Sequence, residues 1–131
     1  MTRRCSVVHF EMPYDDEIRM ASFYKSAFGW HIRPLGSQMN DYVIAETSQS
    51  KDGRAVEPGK INGGFFPRKP DWPNQHPMVV IGVDDIEAAM ERTNRAGGKC
   101  TDEPLDIPGV GRYVVATDTE GNGFVLLQPI A

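Results

Sequence analysis

The sequence predicts an α+β fold built from two tandem β-α-β-β-β modules. In each half, a helix-start aspartate is followed fourteen residues later by a helix-ending glycine, at Asp15 and Gly29 and again at Asp84 and Gly98. One offset of 69 residues relates the two pairs, and such an offset indicates an internal repeat. Each helix can cover one face of its own sheet. We therefore expect the two open faces to form an eight-stranded, cup-shaped sheet around a small molecule.

The first module is predicted over residues 5–67. Residues 6–12 are predicted to form a strand, and strand alternation places His9 and Glu11 on the face opposite Phe10. Acidic residues that can cap a helix follow this strand directly. The remaining predicted elements are a helix from the Asp15–Asp16 cap to Gly29, strands over residues 30–35, 41–46 and 61–66, and a loop over residues 48–60.

A proline-rich segment over residues 68–77 is predicted to be the linker between the modules. The second module, residues 78–129, repeats the order of the first. Its predicted elements are a strand over residues 78–83, a helix from Asp84–Asp85 to Gly97–Gly98, strands over residues 99–103, 112–117 and 123–128, and a hairpin turn over residues 118–122. The whole chain, residues 1–131, is expected to be a single domain.

Composition excludes several classes of function. Fourteen Lys and Arg residues against eighteen Asp and Glu give a formal net charge of −4, which argues against a nucleic-acid-binding protein. Two cysteines without CxxC spacing predict neither a disulfide framework nor a thiolate zinc site. No apolar run has the length of a signal peptide core or of a membrane span. A cytoplasmic protein without membrane partners is expected.

Four segments carry a family resemblance. They are His9-Phe10-Glu11 followed by Asp16, FYKSAFGW at residues 23–30, VDDIEAA at residues 83–89, and AGGK through DTEGNGF at residues 96–124. Together they resemble the vicinal-oxygen-chelate (glyoxalase/bleomycin-resistance/dioxygenase) superfamily over roughly residues 5–129. The resemblance implies the two-module fold and, for chains of this length, a homodimer. It implies no single activity, because isomerases, dioxygenases, epimerases and drug-binding proteins share this fold.

The resemblance also implies where a metal ion would bind. Metal-dependent members hold one divalent ion with His or Glu side chains from the first, fourth, fifth and eighth strands. His9 stands at the first of these positions, but its repeat equivalent is Met78, whose thioether is a poor ligand for such an ion. The eighth-strand position is Val125, and the fourth-strand candidates, Gly63 and Gly64, have no side chains. We therefore expect a member without a metal site of the usual kind and without a cofactor.

A small-molecule-binding protein is the favoured function. Its predicted ligand-binding residues are polar or aromatic side chains around an apolar floor, namely His9, Glu11, Arg112 and Tyr113 above Met78, Val80, Val125 and Leu127. Arg112 is a candidate contact for an anionic ligand, with a solvated loop arginine as the equal alternative. Tyr42, Trp30 and Phe66 are candidates either for aromatic walls of the cup or, as we favour, for ordinary packing residues. Gly64 is expected to mark a close backbone approach or a bulge.

An enzyme of the same superfamily, of lyase, isomerase or dioxygenase type, is the alternative. His9 and Glu11 can perform metal-free acid–base chemistry in a cavity that excludes water. His9, Glu11 and His76 also match, in residue types, a metal site made of two histidines and one carboxylate. The sequence does not separate these alternatives from simple ligand recognition.

Overall fold

The computed structural model describes residues 4–52, 54–72 and 75–130. The chain divides into two compact units. We call residues 9–77 the first unit, and residues 1–8 together with residues 78–131 the second unit. One boundary between the units falls after Pro77.

The first unit contains one long helix and four main strands. Their order in the sheet is β2-β3-β6-β1, with β1 parallel to β6 and the other neighbours antiparallel. The elements are β1 (Val7–Tyr14), which begins in the second unit, α1 (Glu17–Phe28), β2 (His31–Pro34), a 3-10 turn (Ser37–Met39), β3 (Val43–Glu46), a hairpin of β4 (Ser50–Lys51) and β5 (Arg54–Ala55), and β6 (Asn62–Pro67).

Helix α1 begins and ends where the sequence predicts. The Asp16 side chain accepts a hydrogen bond from the backbone N–H of Arg19 at 3.0 Å, which satisfies one of the free N–H groups of the first turn. Gly29 ends the helix at φ 70°, a left-handed conformation that costs glycine little. Met20 and Tyr24 of α1 pack against a buried core formed by Tyr14, Ile32, Val43, Ala45 and Phe65.

The second unit repeats this arrangement. Its strand order is β7-β11-β10-β8, with β7 parallel to β11, β10 antiparallel to β11 and β8, and β9 paired with β10. The elements are β7 (Met78–Gly82), α2 (Ile86–Arg95), β8 (Lys99–Cys100), β9 (Leu105–Ile107), β10 (Gly111–Thr117) and β11 (Gly123–Pro129). Helix α2 contributes Ile86 and Ala89 to a buried core that also contains Val83, Val114 and Leu126.

The structure confirms the mixed α+β fold and the repeat, and it corrects some elements. The caps of both helices, Asp16 and Asp85, keep the offset of 69 residues. The predicted loop over residues 48–60 contains the β4–β5 hairpin, whose two-residue strands are too short to show a hydrophobic period. The strand predicted over residues 99–103 ends at Cys100. In the described ranges, no helix is long and apolar enough to span a membrane.

Candidate functional site

Strand β1 presents different chemistry on its two faces. Phe10 and Met12 pack against the core beneath α1. The neighbouring residues His9 and Glu11 make their contacts with Tyr42 instead. This alternation confirms the predicted faces of the strand. The face of the first unit's sheet that points away from α1 therefore carries His9 and Glu11.

Tyr42 joins His9 to Glu11. Its hydroxyl donates a hydrogen bond to Oε2 of Glu11 at 2.8 Å, and Nε2 of His9 lies 3.2 Å from the same hydroxyl oxygen. The phenol has one proton to donate. When that proton points to Glu11, the N–H on Nε2 of His9 is the donor to the phenol oxygen. We call these three side chains the His9–Tyr42–Glu11 network.

The backbone of Tyr42 is held on both sides. Its N–H donates to the carbonyl of Met39 at 3.1 Å, and its carbonyl accepts from the N–H of Leu35 at 2.9 Å. The preceding carbonyl, that of Asp41, accepts a 2.6 Å hydrogen bond from the hydroxyl of Tyr14. Burial, together with nearby carboxylates, raises the pKa of Tyr14 to about 12, so this phenol remains a donor. Tyr42 thus enters β3 from a fixed turn.

Gly64 leaves the space that the Tyr42 ring occupies. The strand pairing sets Gly64 beside Glu11 on β1 and beside Ile44 on β3. A Cβ atom added at Gly64 would overlap the hydroxyl and ring of Tyr42. A Cβ atom added at the neighbouring Gly63 would overlap the ring of Phe10, on the helix side of the sheet. The prediction that Gly64 marks a close approach is confirmed, and the approaching group is the side chain of Tyr42.

Burial changes the acid–base properties of the network. Desolvation lowers the pKa of His9 from 6.5 to about 4, because the imidazolium form loses its hydration. Desolvation raises the pKa of Glu11, and the hydrogen bond from Tyr42 opposes this rise by stabilising the carboxylate. At neutral pH His9 is therefore a neutral imidazole.

Further polar contacts lie along the same strands of the first unit. Asn62, which pairs with His9, is buried, and its side chain accepts from the N–H of Thr47 at 2.9 Å and donates to the hydroxyl of Ser50 at 2.6 Å. Glu46 lies 2.9 Å from Nδ1 of His31, and this contact is the main cause that lowers the pKa of Glu46. Asn62 and Glu46 thus have partners of their own, outside the network.

The second unit places its predicted floor residues side by side. Val80 pairs with Val125 across β7 and β11, and both are buried, as is Met78. Tyr113 lies two residues before Val115, which pairs with Val125, so Tyr113 and Val125 share one face of the sheet. The apolar character that the sequence predicts for these positions is therefore present.

Arg112 lies on the other face of that sheet. Its guanidinium forms ion pairs with Glu87 of α2 at 3.1 Å and with Asp106 of β9 at 3.2 Å. Adjacent strand residues point to opposite faces, so Arg112 points to the helix side and Tyr113 away from it. The structure does not bring these two predicted ligand-binding residues to one surface, and the charge of Arg112 is committed to two carboxylates.

The donor set does not fit the metal site that the resemblance implies. The strand registers make Gly64 the equivalent of Val125, because Glu11–Gly64 and Val80–Val125 are matching pairs of the repeat. Neither residue offers a donor atom, and Nε2 of His9 is engaged by Tyr42. His76 is exposed. Within the described part of the chain, no group of three or more His, Cys, Asp or Glu side chains is placed to hold a metal ion, the His9, Glu11 and His76 trio included.

Tyr42 is the site residue that the sequence does not single out. The sequence leaves it between a wall of the cup and a packing residue, whereas its hydroxyl is the centre of the network. The strand registers relate it to a residue of the other unit. Tyr42 lies two residues before Ile44, which pairs with Gly64, and Tyr113 lies two residues before Val115, which pairs with Val125. The two tyrosines are therefore equivalent, although loops of different length hide this in the sequence.

Curated relatives match most of this chain. It is 30% identical over 115 residues to a glyoxylase-like domain-containing protein of Didymella fabae, which covers 86% of this chain and 84% of that protein. It is 27% identical over 122 residues to the anthracycline biosynthesis protein DnrV of Streptomyces peucetius, which covers 89% of this chain. The chain spans 44% of DnrV and 33% of a Mycobacterium tuberculosis protein named as a glyoxylase, so these relatives are much longer.

Solved structures show the same fold. A methylmalonyl-CoA epimerase in complex with methylmalonyl-CoA and NH4+ superposes with a TM-score of 0.69 at 17% identity, over 97% of this chain and 96% of that one. The methylmalonyl-CoA epimerase of Mycobacterium tuberculosis gives a TM-score of 0.67 at 13% identity, over 95% and 87%. At these identities the likeness shows the fold alone.

The family assignment rests on a match along nearly the whole chain. The model of the Glyoxalase/Bleomycin resistance protein/Dioxygenase superfamily matches residues 6–126. This range includes both helices and the strands that carry the network. It also agrees with the fold shared with the epimerases. The chain belongs to the glyoxalase/bleomycin resistance protein/dioxygenase superfamily.

Proposed function

We propose that this protein binds a small organic molecule without the help of a divalent metal ion, and that His9, Tyr42 and Glu11 form the polar part of its binding site. The observation that carries the proposal is the position of the Tyr42 hydroxyl. It bonds to both His9 and Glu11 in space left by Gly64, where a metal-dependent relative would need a ligand side chain.

Residue chemistry supports independence from metal. One of the two ring nitrogens of His9 is hydrogen-bonded to Tyr42. The other positions at which the resemblance implies metal ligands are occupied by Gly64, Met78 and Val125. None of these three is a ligand that a hard or borderline divalent ion prefers. The network therefore holds three polar groups by hydrogen bonds among themselves.

The fold supports a small-molecule ligand. A methylmalonyl-CoA epimerase of this fold was solved in complex with methylmalonyl-CoA, so a protein of this architecture can bind an organic molecule. The ligand of the present chain is not inferred from that complex. A homodimer, as the family resemblance implies for a chain of this length, and a cytoplasmic location are part of the same proposal.

A metal-free acid–base enzyme is the second candidate. Three titratable groups lie in one hydrogen-bonded chain, and His9 is neutral at pH 7 and so able to accept a proton. A bound ligand that is recovered unchanged favours the binding protein. Turnover of that ligand, lost in His9→Ala but not in His76→Ala, favours the enzyme.

Metal content of the purified protein tests the proposal directly. We expect far less than one equivalent of any divalent metal, and a melting temperature that neither a chelator nor added Mn²⁺, Ni²⁺ or Zn²⁺ changes. Stoichiometric metal that disappears in His9→Ala would overturn metal independence. The His76→Ala variant is the matched control, because His76 is exposed and outside the network.

A thermal-shift screen tests the ligand-binding part. Thioesters, thiols, antibiotics, aromatic acids and aromatic amines are suitable compounds. A ligand that binds the folded state raises the melting temperature, and the rise grows with the logarithm of its concentration above Kd. We expect the shift given by any such ligand to shrink in Glu11→Gln and Tyr42→Phe. A ligand whose shift is the same in both variants would place binding elsewhere on the protein.

A further inference from the structure

We propose that the ligand presents N–H or O–H donors, and no anionic group, to His9 and Glu11. This inference rests on the proposed function and specifies the chemistry of the same site. It follows from counting which donors and acceptors of the His9–Tyr42–Glu11 network are already used.

The donors of the network are used internally. The single proton of Tyr42 goes to Oε2 of Glu11 at 2.8 Å, an ordinary length for an O–H···O hydrogen bond. The phenol oxygen, 3.2 Å from Nε2 of His9, then accepts the proton on that nitrogen. A neutral imidazole has only one N–H. No proton of the network is left to donate to a ligand.

The groups that remain are acceptors. Nδ1 of His9 keeps a lone pair, and Oε1 of Glu11 keeps all of its acceptor capacity. Along the described ranges, neither atom has a hydrogen-bond partner from the protein, and Glu11 takes part in none of the ion pairs. Both residues keep part of their surface exposed to solvent. Two neighbouring acceptors favour a ligand with donors.

The charge of the site points in the same direction. A partly buried carboxylate without a cationic partner is costly, and an N–H donor that carries positive charge offsets that cost. The cation that the sequence assigned to an anionic ligand, Arg112, is held by Glu87 and Asp106 on the helix side of its sheet. An anionic ligand head group at Glu11 would be repelled by its carboxylate.

Three probes of one shape test the proposal, namely benzamidinium, benzamide and benzoate. All three place a planar three-atom head group on the same ring. Benzamidinium presents donors on both sides and a positive charge, benzamide presents one donor and one acceptor, and benzoate presents only acceptors and a negative charge. Comparing benzamidinium with benzamide separates a cationic donor ligand from a neutral one.

Backbone amide NMR of the full chain reports where and how tightly each probe binds. We expect benzamidinium to shift the signals of Glu11, Tyr42 and Gly64 and to bind about tenfold more tightly than benzoate, with benzamide between them. In Glu11→Gln the preference for benzamidinium over benzamide should disappear. Glu46→Gln is the matched control and should keep the preference, because Glu46 is already partnered by His31.

Each other outcome overturns the proposal. These outcomes are benzoate binding as tightly as benzamidinium at these residues, the absence of any shift there with all three probes, or an unchanged order in Glu11→Gln. The order in the unmodified protein needs no variant, so the test survives if Glu11→Gln fails to fold. Preferred binding of benzoate would leave metal-independent binding intact, whereas stoichiometric metal at His9 would remove the proposed function itself.

Discussion

The two units pair equivalent strands in the same register but place opposite chemistry on them. In the first unit, β1 sets Glu11 beside Gly64 of β6, whereas in the second unit β7 sets Val80 beside Val125 of β11. The first pair belongs to a polar network, and the second is buried and apolar. One architecture thus carries a polar, hydrogen-bonded network in one unit and an apolar packing surface in the other.

The difference depends on side-chain volume at one position. In the second unit, this position carries the side chain of Val125. In the first unit the equivalent residue is Gly64, which has no side chain, and the ring of Tyr42 occupies the space beside it. A polar group on a long aromatic side chain can thereby reach both His9 and Glu11. The comparison teaches that the absence of a side chain at Gly64 is part of how the site is built.

Replacing Gly64 with valine, the residue at the equivalent position of the second unit, should have the largest effect on stability. The Gly64→Val substitution places a side chain in the volume of the Tyr42 ring, and we expect it to lower the free energy of unfolding by about 3 kcal/mol. Urea unfolding measures this loss. In a Tyr42→Ala background the same substitution should cost much less. An equal cost in both backgrounds would show that Tyr42 is not the group displaced.

The pH dependence of stability should be carried by the first unit. The pKa of His9 is lowered from 6.5 to about 4, so the unfolded state takes up a proton at a higher pH than the folded state. Stability is therefore lost as pH falls from about 6.5 to about 4, by up to about 3 kcal/mol, with no further loss from His9 below that. The raised pKa of Glu11 acts in the opposite direction and reduces the net effect.

Urea unfolding of the unmodified protein and of His9→Gln across this pH range isolates the histidine. The stability difference between the two proteins should shrink as pH falls. The equivalent position of the second unit is Met78, which does not titrate, so Met78→Leu is a suitable control with an unchanged pH profile. A parallel profile for His9→Gln would contradict the lowered pKa.

Removing only the bridging hydroxyl should have an intermediate effect. In Tyr42→Phe, Glu11 loses its hydrogen-bond donor, and we expect a loss of about 2 kcal/mol in the free energy of unfolding. The same change should raise the pKa of Glu11 further, because the bond from Tyr42 is the factor that lowers it. Carboxyl NMR titration measures that pKa, and a fall in its value would contradict the network.

The smallest effects should be equal in the two units. Asp16 and Asp85 each accept from a backbone N–H three residues later, at 3.0 and 3.1 Å. Replacing either with alanine should cost about 1 kcal/mol. Thermal or urea unfolding of Asp16→Ala and Asp85→Ala compares them. A large difference between the two would show that the caps of the repeat are not equivalent in energy.

Local chemistry made much of the fold predictable. Cap residues, strand alternation and the offset of 69 residues predicted both helices and most strands, because these signals depend on neighbouring residues. Strand alternation also placed His9 and Glu11 correctly. The same rule puts Arg112 and Tyr113, which are adjacent in β10, on opposite faces of the sheet. The sequence alone therefore argues against placing both side chains against one ligand.

The remaining part of the site depends on distant contacts. Only the pairing of β6 with its two neighbours shows that Gly64, and not Gly63, is the equivalent of Val125. The position of the Tyr42 ring beside Gly64 follows from that pairing. No local pattern predicts it, because residues 42 and 64 are far apart in the sequence and the segment between β3 and β6 is made of loops and a short hairpin with no period of their own.

The adjacent glycines of β6 also restrict how this strand can pair. Sliding β6 by one residue in one direction would put Phe65 in the place of Gly64, against the ring of Tyr42. Sliding it in the other direction would put Asn62 in the place of Gly63, against the ring of Phe10. Either misalignment creates a steric clash, so the rings of Tyr42 and Phe10 favour a single register of β6 with its neighbouring strands.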